Sequence, residues 1–143
     1  MVFVLAIALA LLGVAAPRLL LTSHRVALTN ARYEVTAATA QARAAAVRHG
    51  RISYLTVDVA LDRLRILVDT SAEGGGPAVE MGTTDLWQEL GVNLRASHPV
   101  VCFDPRGLSV PSMVCPGAPV TVWIERGGRQ DSVVVSTTGM VFP

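Results

Sequence analysis

The N-terminal segment of this chain constrains its fold more than any other part, because residues 1–16 carry no charged or strongly polar side chain. After a short Pro-Arg interruption, three leucines extend the apolar run to residue 21. Sixteen residues of helix span about 24 Å, against the roughly 30 Å hydrocarbon core of a bilayer. A core helix of a soluble protein would carry polar residues on one face, and this segment has none. We therefore predict a transmembrane helix over residues 1–21 that continues outward.

Two other interpretations of the segment stay open. One is a cleaved signal peptide, which would be cut after Ala15 or Ala16; such peptides begin with a basic region, but no Lys or Arg precedes Arg18. The other is a fully buried helix of a globular protein. Under the transmembrane interpretation, Gly13 and Pro17 are the positions where the helix bends, since proline removes one backbone donor and crowds the preceding turn.

Helical periodicity continues through residues 22–50, which we interpret as an amphipathic continuation of the same helix. The alanine-rich stretch 37–47 has high helix propensity, and Gly50 is a typical C-terminal stop. The whole helix would exceed forty residues and measure roughly 70 Å. We predict that one apolar stripe of this helix packs onto a compact sheet domain. Its members recur at steps of seven, four and three: Val26, Tyr33, Ala37, Ala40, Ala44 and Val47.

After Gly50 the apolar period becomes two, which is typical of half-buried strands. Residues 54–59 and 63–69 alternate in this way, and the short turn 60–62 would join them as a hairpin. Residues 71–76, which end in three glycines, predict a flexible loop. We also predict a helical turn within 84–90, a type I turn at 104–107, a two-residue hairpin loop at 127–128, and strands at 92–95, 99–103, 120–125 and 132–136.

The predicted fold class is therefore α+β, with a long N-terminal helix packed on an antiparallel β domain formed by residues 51–143. The chain carries Cys102 and Cys115 with no histidine close to them, and structural zinc requires four ligands. A disulfide between these cysteines suits a domain outside the membrane, and we predict it; two reduced buried thiols are the alternative.

The sequence offers no arrangement that predicts catalysis, a cofactor or a metal. His24, His49 and His98 are scattered, and none has metal-ligand spacing or stands beside a nucleophile motif. The three glycines at 74–76 lack the Gly-Lys-Ser/Thr of a phosphate loop. A net charge of +1 argues against nucleic acid as a partner. We therefore predict a protein that is not an enzyme.

Several of these features together resemble type IV pilins and type II secretion pseudopilins of the GspH/FimT group. The run MVFVLAIALALLGVAAP looks like the apolar half of their class III signal sequence, and residues 31–51 (ARYEVTAATAQARAAAVRHGR) are similar to their amphipathic helix. Residues 101–107 (VCFDPRG) resemble the group's strand and turn, and residues 132–139 (SVVVSTTG) resemble its closing strand. The resemblance covers nearly the whole chain and implies the pilin fold.

Two features depart from the family pattern. The chain starts at Met1, where the family has a leader and Gly-Phe-Thr-Leu-x-Glu, so N-methylation and a prepilin peptidase as partner follow only if the true start lies upstream. We expect that it does, with a basic leader that keeps the N-terminus cytoplasmic. The closing glycine, Gly139, is followed by Met-Val-Phe-Pro and not by the basic residue usual in the group. Some members use a basic C-terminal region in DNA uptake, and this chain does not support that role.

The resemblance implies a minor pilin or pseudopilin of a type IV pilus-like or type II secretion filament. Such a subunit is a single-pass protein of the bacterial inner membrane, with its β domain on the periplasmic side. Its expected partners are other pilin subunits, reached through the N-terminal helix, and the inner-membrane assembly platform. The alternative is a signal-anchored or secreted β domain that binds a ligand.

Overall fold

The computed structural model describes residues 2–71, 74–112 and 115–143, with side chains from Ser23 onward. In chain order the elements are the helix α1 (Val2–His49), the strands β1 (Ser53–Asp58), β2 (Arg63–Asp69) and β3 (Ala78–Asp85), the short helix α2 (Leu86–Leu90), and the strands β4 (Asn93–Ala96), β5 (Val100–Phe103), β6 (Val120–Arg126), β7 (Arg129–Val135) and β8 (Val141–Phe142).

The predicted long helix is present as α1, and it ends at the predicted glycine. Gly50 has a φ of 61°, in the left-handed region that glycine adopts without a side-chain clash. Its N–H donates to the carbonyl of Val47 at 3.4 Å, and the N–H of Arg51 donates to the carbonyl of Ala46 at 3.2 Å. This pair of bonds is a Schellman C-cap, which satisfies carbonyls that the last turn leaves unpaired.

The membrane span predicted over residues 1–21 lies outside the part of the chain described with side chains. Among the residues that are described in full, no helical stretch is both long and apolar enough to cross a membrane. The backbone of α1 is helical through Gly13 and Pro17, and the bend at these positions stays a prediction.

The face of α1 that packs on the β domain is not the predicted face. Its buried residues are Ala27, Leu28, Ala31, Val35, Ala38, Thr39, Ala42 and Ala46. The predicted stripe, from Val26 to Val47, is exposed at every one of its six positions. The prediction was wrong because both sets recur at helical spacing, and spacing alone does not identify which apolar face the sheets cover.

Two four-stranded antiparallel sheets make up the β domain, with strand orders β3-β2-β1-β5 and β4-β6-β7-β8. The helix α1 packs against β1 and β2 of the first sheet and against β6 and β7 of the second. Their inward-facing apolar side chains form a single core with α1, which includes Leu55, Leu64, Phe103, Val122 and Ile124. The α+β class and the packing of a long N-terminal helix on antiparallel sheets are confirmed.

The two hairpins predicted from local sequence are confirmed. In the first, Asp58 pairs with Arg63, so residues 59–62 form the turn between β1 and β2. In the second, the strands pair as far as Arg126 and Arg129, which leaves the two glycines at 127–128 as the loop. Their φ angles of 56° and 74° are those of a type I′ turn, whose twist matches that of the flanking strands.

Two strands were not predicted. The strand β3 has no alternation of apolar and polar residues, and most of its side chains are exposed, since it forms the edge of its sheet and carries a bulge opposite Ile66 and Leu67. The strand β8 has only two residues. The helical turn predicted within 84–90 is α2, and its N-cap is Asp85, whose carboxylate accepts the N–H of Gln88 at 2.9 Å.

Candidate subunit-contact surface

An apolar stripe of α1 faces away from the β domain. We call it the free stripe, and its members are Val26, Tyr33, Ala37, Ala40, Ala44 and Val47. The three large side chains are strongly exposed, with Val26 at 53%, Tyr33 at 69% and Val47 at 54% of their full accessibility. A contiguous row of exposed apolar side chains is typical of a protein interaction surface.

The free stripe lies almost opposite the buried face of the same helix. At about 100° per residue, the centres of the two sets are separated by roughly 180° around the helix axis. A helix that packs on one sheet domain needs one apolar face, and its opposite face is ordinarily polar. The described part of α1 therefore has one apolar face more than its own domain covers.

Three arginines run along one border of the free stripe: Arg25, Arg32 and Arg43. A guanidinium nitrogen of Arg32 lies 3.8 Å from a carboxylate oxygen of Asp131 on β7, which ties this border to the second sheet. In the part of the chain that the structure describes, neither Arg25 nor Arg43 forms a salt bridge. Both groups are therefore open to carboxylates on a partner.

Two loops close against α1 at the C-terminal end of the free stripe, and each does so through a glycine. Gly107 has a φ of 78°, and a Cβ there would lie 3.0 Å from Cγ of Arg43 and 3.2 Å from Cγ2 of Val47. Gly139 has a φ of 70°, and a Cβ there would lie 3.4 Å from Cδ of Arg43 and 3.1 Å from Cε1 of Phe103. Side chains at these two positions would push the loops away from the helix.

The turn predicted at 104–107 is present and is organised by Asp104. The N–H of Gly107 donates to the carbonyl of Asp104 at 2.8 Å, and the Asp104 carboxylate accepts the N–H groups of Arg106 and Leu108, each at 2.9 Å. Burial opposes ionisation of this carboxyl, but the hydrogen bonds from Leu108 and Arg106 outweigh it and leave the pKa of Asp104 below its ordinary value.

The connection between β2 and β3 is held by Asp69, which is 1% exposed. Its carboxylate accepts the N–H groups of Ser71 at 2.7 Å, Gly75 at 2.6 Å and Gly76 at 3.1 Å, and the hydroxyl of Tyr54 at 2.9 Å. The bond from Ser71 is the main cause that lowers the pKa of Asp69 to about 2; Tyr54 and Gly75 add to it, against the opposing effect of burial. The described ends of the predicted flexible loop are therefore fixed by hydrogen bonds.

A disulfide joins Cys102 on β5 to Cys115, with the two Cα atoms 5.9 Å apart. Both residues are almost fully buried. The bridge spans the segment that leads from the first sheet to the second, and so it fixes the start of the path to β6. The backbone of Ser112 exchanges hydrogen bonds with that of Cys115, at 2.8 and 3.2 Å, within the same segment.

The remaining polar residues that the structure describes do not converge on a chemical site. Within residues 2–71, 74–112 and 115–143, no group of three or more His, Cys, Asp or Glu side chains is placed to hold a metal ion. The aspartates that accept several hydrogen bonds, Asp69 and Asp104, accept them from loop backbone and from their own neighbours. Their arrangement stabilises turns and presents no open coordination position.

Sequence reasoning found the residues of the free stripe but assigned them to the core. The signal that the prediction missed is a second apolar row on the same helix, which includes Leu28 and Val35. The free stripe, by contrast, includes Tyr33, whose hydroxyl has no hydrogen bond to another described residue. A tyrosine in a narrow alanine row suits an edge or an interface better than an interior.

No protein-family model matches the chain, and no curated protein matches it. Solved structures do. The type IV minor pilin FimU of Pseudomonas aeruginosa superimposes with a TM-score of 0.63 at 20% identity, over 85% of this chain and 90% of that one. The minor pseudopilin EpsH from the type 2 secretion system of Vibrio cholerae superimposes with a TM-score of 0.60 at 17% identity, over 80% of this chain and 94% of that one. The chain therefore has the fold of minor pilins and minor pseudopilins.

Proposed function

We propose that this protein is a minor subunit of a type IV pilus-like or type II secretion filament, and that α1 is its assembly element. The observation that carries the proposal is the free stripe, an apolar face that the protein's own domain leaves uncovered. The fold shared with FimU and EpsH supports it, because those proteins are described as a minor pilin and a minor pseudopilin.

In this proposal the apolar segment 1–21 holds the subunit in the inner membrane before assembly. The length and composition of the segment support a single span, and the disulfide supports a domain on the periplasmic side of the membrane. The inner-membrane assembly platform would then receive the subunit through this helix. The alternative, a secreted or signal-anchored binding domain, predicts a chain that is released from the membrane after cleavage near Ala16.

On assembly the free stripe would be covered by helices of neighbouring subunits. Its three alanines have short side chains, which allow helix axes to approach to about 8 Å. Burial of Val26, Tyr33 and Val47 would contribute on the order of 1–2 kcal/mol each from the apolar area removed from water. The arginines at the border would select neighbours that carry carboxylates in register, through orientation and specificity more than through affinity.

A charge placed in the free stripe tests this proposal. Ala40→Glu puts a carboxylate at an exposed position of the stripe, and Gln41→Glu puts the same carboxylate on the next residue, which is exposed outside it. Neither change touches the core, so both variants should fold and unfold as the parent does. We expect Ala40→Glu to reduce incorporation into sheared filaments by tenfold or more, and Gln41→Glu to leave it within twofold.

The readout is the ratio of filament-bound to membrane-bound subunit in cells that express the companion pilins, with circular dichroism of the purified variants as a folding check. Equal incorporation of both glutamate variants would show that the free stripe is not an assembly surface. Recovery of the unmodified chain from the soluble periplasmic fraction would instead support the secreted alternative.

A further inference from the structure

A second exposed apolar patch lies away from the free stripe, and we call it the base patch. It consists of Val59, Ala60 and Leu61 in the turn between β1 and β2, together with Trp87 on α2. Val59 is 45% exposed, Leu61 52% and Trp87 54%. A shallow depression places Ala60 and Leu61 beside Trp87, so the turn and the short helix form one surface.

The composition of this turn is unusual for its position. Hairpin tips in water are ordinarily built from Gly, Asn, Asp, Ser and Pro, which favour turn geometry and solvation. Here three consecutive apolar residues occupy the tip. Selection for the turn alone does not account for them, because the Asp58 carboxylate supplies the turn geometry by accepting the N–H groups of Ala60 at 3.1 Å and Leu61 at 3.2 Å.

The base patch is held rigidly on the domain. The carbonyl of Asp62 accepts the N–H of Leu86 at 3.0 Å, and its carboxylate accepts the N–H of Leu94 at 2.6 Å. These bonds join the turn to the start of α2 and to β4. Leu86 is completely buried beneath α2, so the adjacent Trp87 is fixed on the outer side of the helix.

Three contacts place this patch at the end of the domain where the apolar segment enters. A groove brings Ser23, Val26, Ala27 and Asn30 of α1 together with Leu90 of α2. At 1.5 Å per residue, Asn30 lies only about 10 Å along the helix from Ser23.

The other two contacts agree with this placement. At the opposite end of β1, Ser53 donates to the carbonyl of Ala42 at 2.6 Å, so the start of β1, which is far from the base patch, lies about 28 Å along α1 from Ser23. A Cβ on Gly127, at the tip of the second hairpin, would collide with the ring of His24. The tip of the second hairpin and α2 therefore lie beside residues 23–30 of α1, and the base patch adjoins α2.

Most charged groups around the base patch already have a hydrogen-bond or salt-bridge partner within the domain. Asp58 and Asp62 bind backbone N–H groups, and Asp85 pairs with Arg63 at 2.7 Å. Glu89 is exposed beside them on α2. A surface of this kind, with apolar side chains, a tryptophan and no excess of basic residues, suits the uncharged part of a bilayer interface better than an electrostatic site for anionic lipid.

We propose that the base patch rests in the headgroup region of the bilayer that the apolar segment enters, so that Leu61 and Trp87 dock the domain on the membrane surface before assembly. This inference rests on the membrane anchoring in the proposed function. A tilt of the spanning helix by about 20°, which is common, would bring one side of the domain base onto the lipid. The base patch would then have to leave the membrane surface when the subunit moves from the membrane into the filament.

Tryptophan fluorescence of the full chain in phosphatidylcholine vesicles tests the proposal. Trp123→Phe leaves Trp87 as the single reporter, and Trp87→Phe leaves Trp123, which lies on β6 about 13 Å along the strand from the glycines of the second hairpin. We expect lipid brominated near the headgroup to quench Trp87 at least twofold more than Trp123. We also expect aqueous iodide to quench Trp123 more than Trp87. Leu61→Ser, in the Trp123→Phe background, should shift Trp87 emission to longer wavelength and reduce its quenching by lipid.

Each outcome separates the two hypotheses. A chain that stays with the vesicles after alkaline carbonate washing, with Trp87 open to iodide and insensitive to brominated lipid, would overturn the base-patch proposal and leave anchoring intact. A chain that carbonate removes would overturn anchoring, and docking of the base patch would fall with it. Vesicles with anionic lipid should give no stronger quenching, because the charged groups around the patch are four carboxylates and one guanidinium; a requirement for anionic lipid would contradict the proposal.

Discussion

At Asp69 one buried carboxylate holds both described ends of the connection between β2 and β3. Its pKa of about 2 lies below the ordinary 3.8, so its ionised form is stabilised by folding. The stabilisation is fully present above pH 3.8 and is lost as the pH falls towards 2. We expect the free energy of unfolding, measured by urea titration, to fall in this window.

Asp69→Asn should remove most of that dependence. Each carboxylate oxygen accepts two hydrogen bonds, and an amide nitrogen in place of one oxygen would face two donors. We expect a loss of about 1–3 kcal/mol at pH 7. Glu89→Gln, on the exposed side of α2, is the matched control and should change stability little at either pH. If the free energy of unfolding of Asp69→Asn fell with decreasing pH as steeply as that of the parent, this role would be contradicted.

Gly139 and Gly128 offer a matched pair, because both have positive φ, of 70° and 74°, in different surroundings. A Cβ at Gly128 meets nothing within 4 Å, whereas one at Gly139 meets the buried ring of Phe103 at 3.1 Å. We expect Gly128→Ala to cost about 1 kcal/mol from the backbone alone. Gly139→Ala should cost roughly 2–4 kcal/mol, since displacement of the packed ring is added. If thermal unfolding showed the same loss of stability for both variants, the loop would move aside without displacing the Phe103 ring.

At the scale of elements, the segment between β5 and β6 depends on its disulfide. The bridge closes a loop of sequence separation 13, which should contribute on the order of 3 kcal/mol by restricting the unfolded chain. We expect the periplasmically expressed domain, alkylated without reduction, to show no modified cysteine by mass spectrometry. The double variant Cys102→Ala/Cys115→Ala should fold, but its unfolding midpoint should lie at a lower urea concentration than that of the parent. Two alkylated thiols in the folded parent would contradict the prediction.

The sequence predicted those elements whose local chemistry decides their structure. The glycines at 127–128 define a hairpin without reference to the rest of the chain, and Gly50 ends a helix by its own geometry. It did not predict β3, since an edge strand with exposed side chains has no alternation to detect. Nor could period alone choose between the two apolar faces of α1, because that choice depends on which face fits the sheets.

For the whole molecule, the two apolar faces of α1 differ in what covers them. The buried face, from Ala27 to Ala46, joins both sheets into one core and stabilises the folded domain. The free stripe contributes nothing to that core, and its apolar side chains are exposed to water in the isolated protein. Under the proposed function, stability and assembly depend on opposite sides of one helix, and a substitution on either side should affect one property and spare the other.

A chain that begins at Leu21 tests this separation. Every buried residue in the part of α1 described with side chains lies at or after Ala27, so the truncated domain should retain its core and its urea midpoint. It should also be monomeric at micromolar concentration by light scattering.

Only six residues form the free stripe, whereas a stable interface takes about 20–30 residues a side. Stable association would require the apolar segment to bring neighbouring helices together in one membrane, where the effective concentration is high. Tyr33→Ser should therefore leave the monomer unchanged in stability and in mass. A truncated domain that aggregates, while the full chain in detergent is folded, would show that residues 1–20 are part of the folded domain and would contradict this separation.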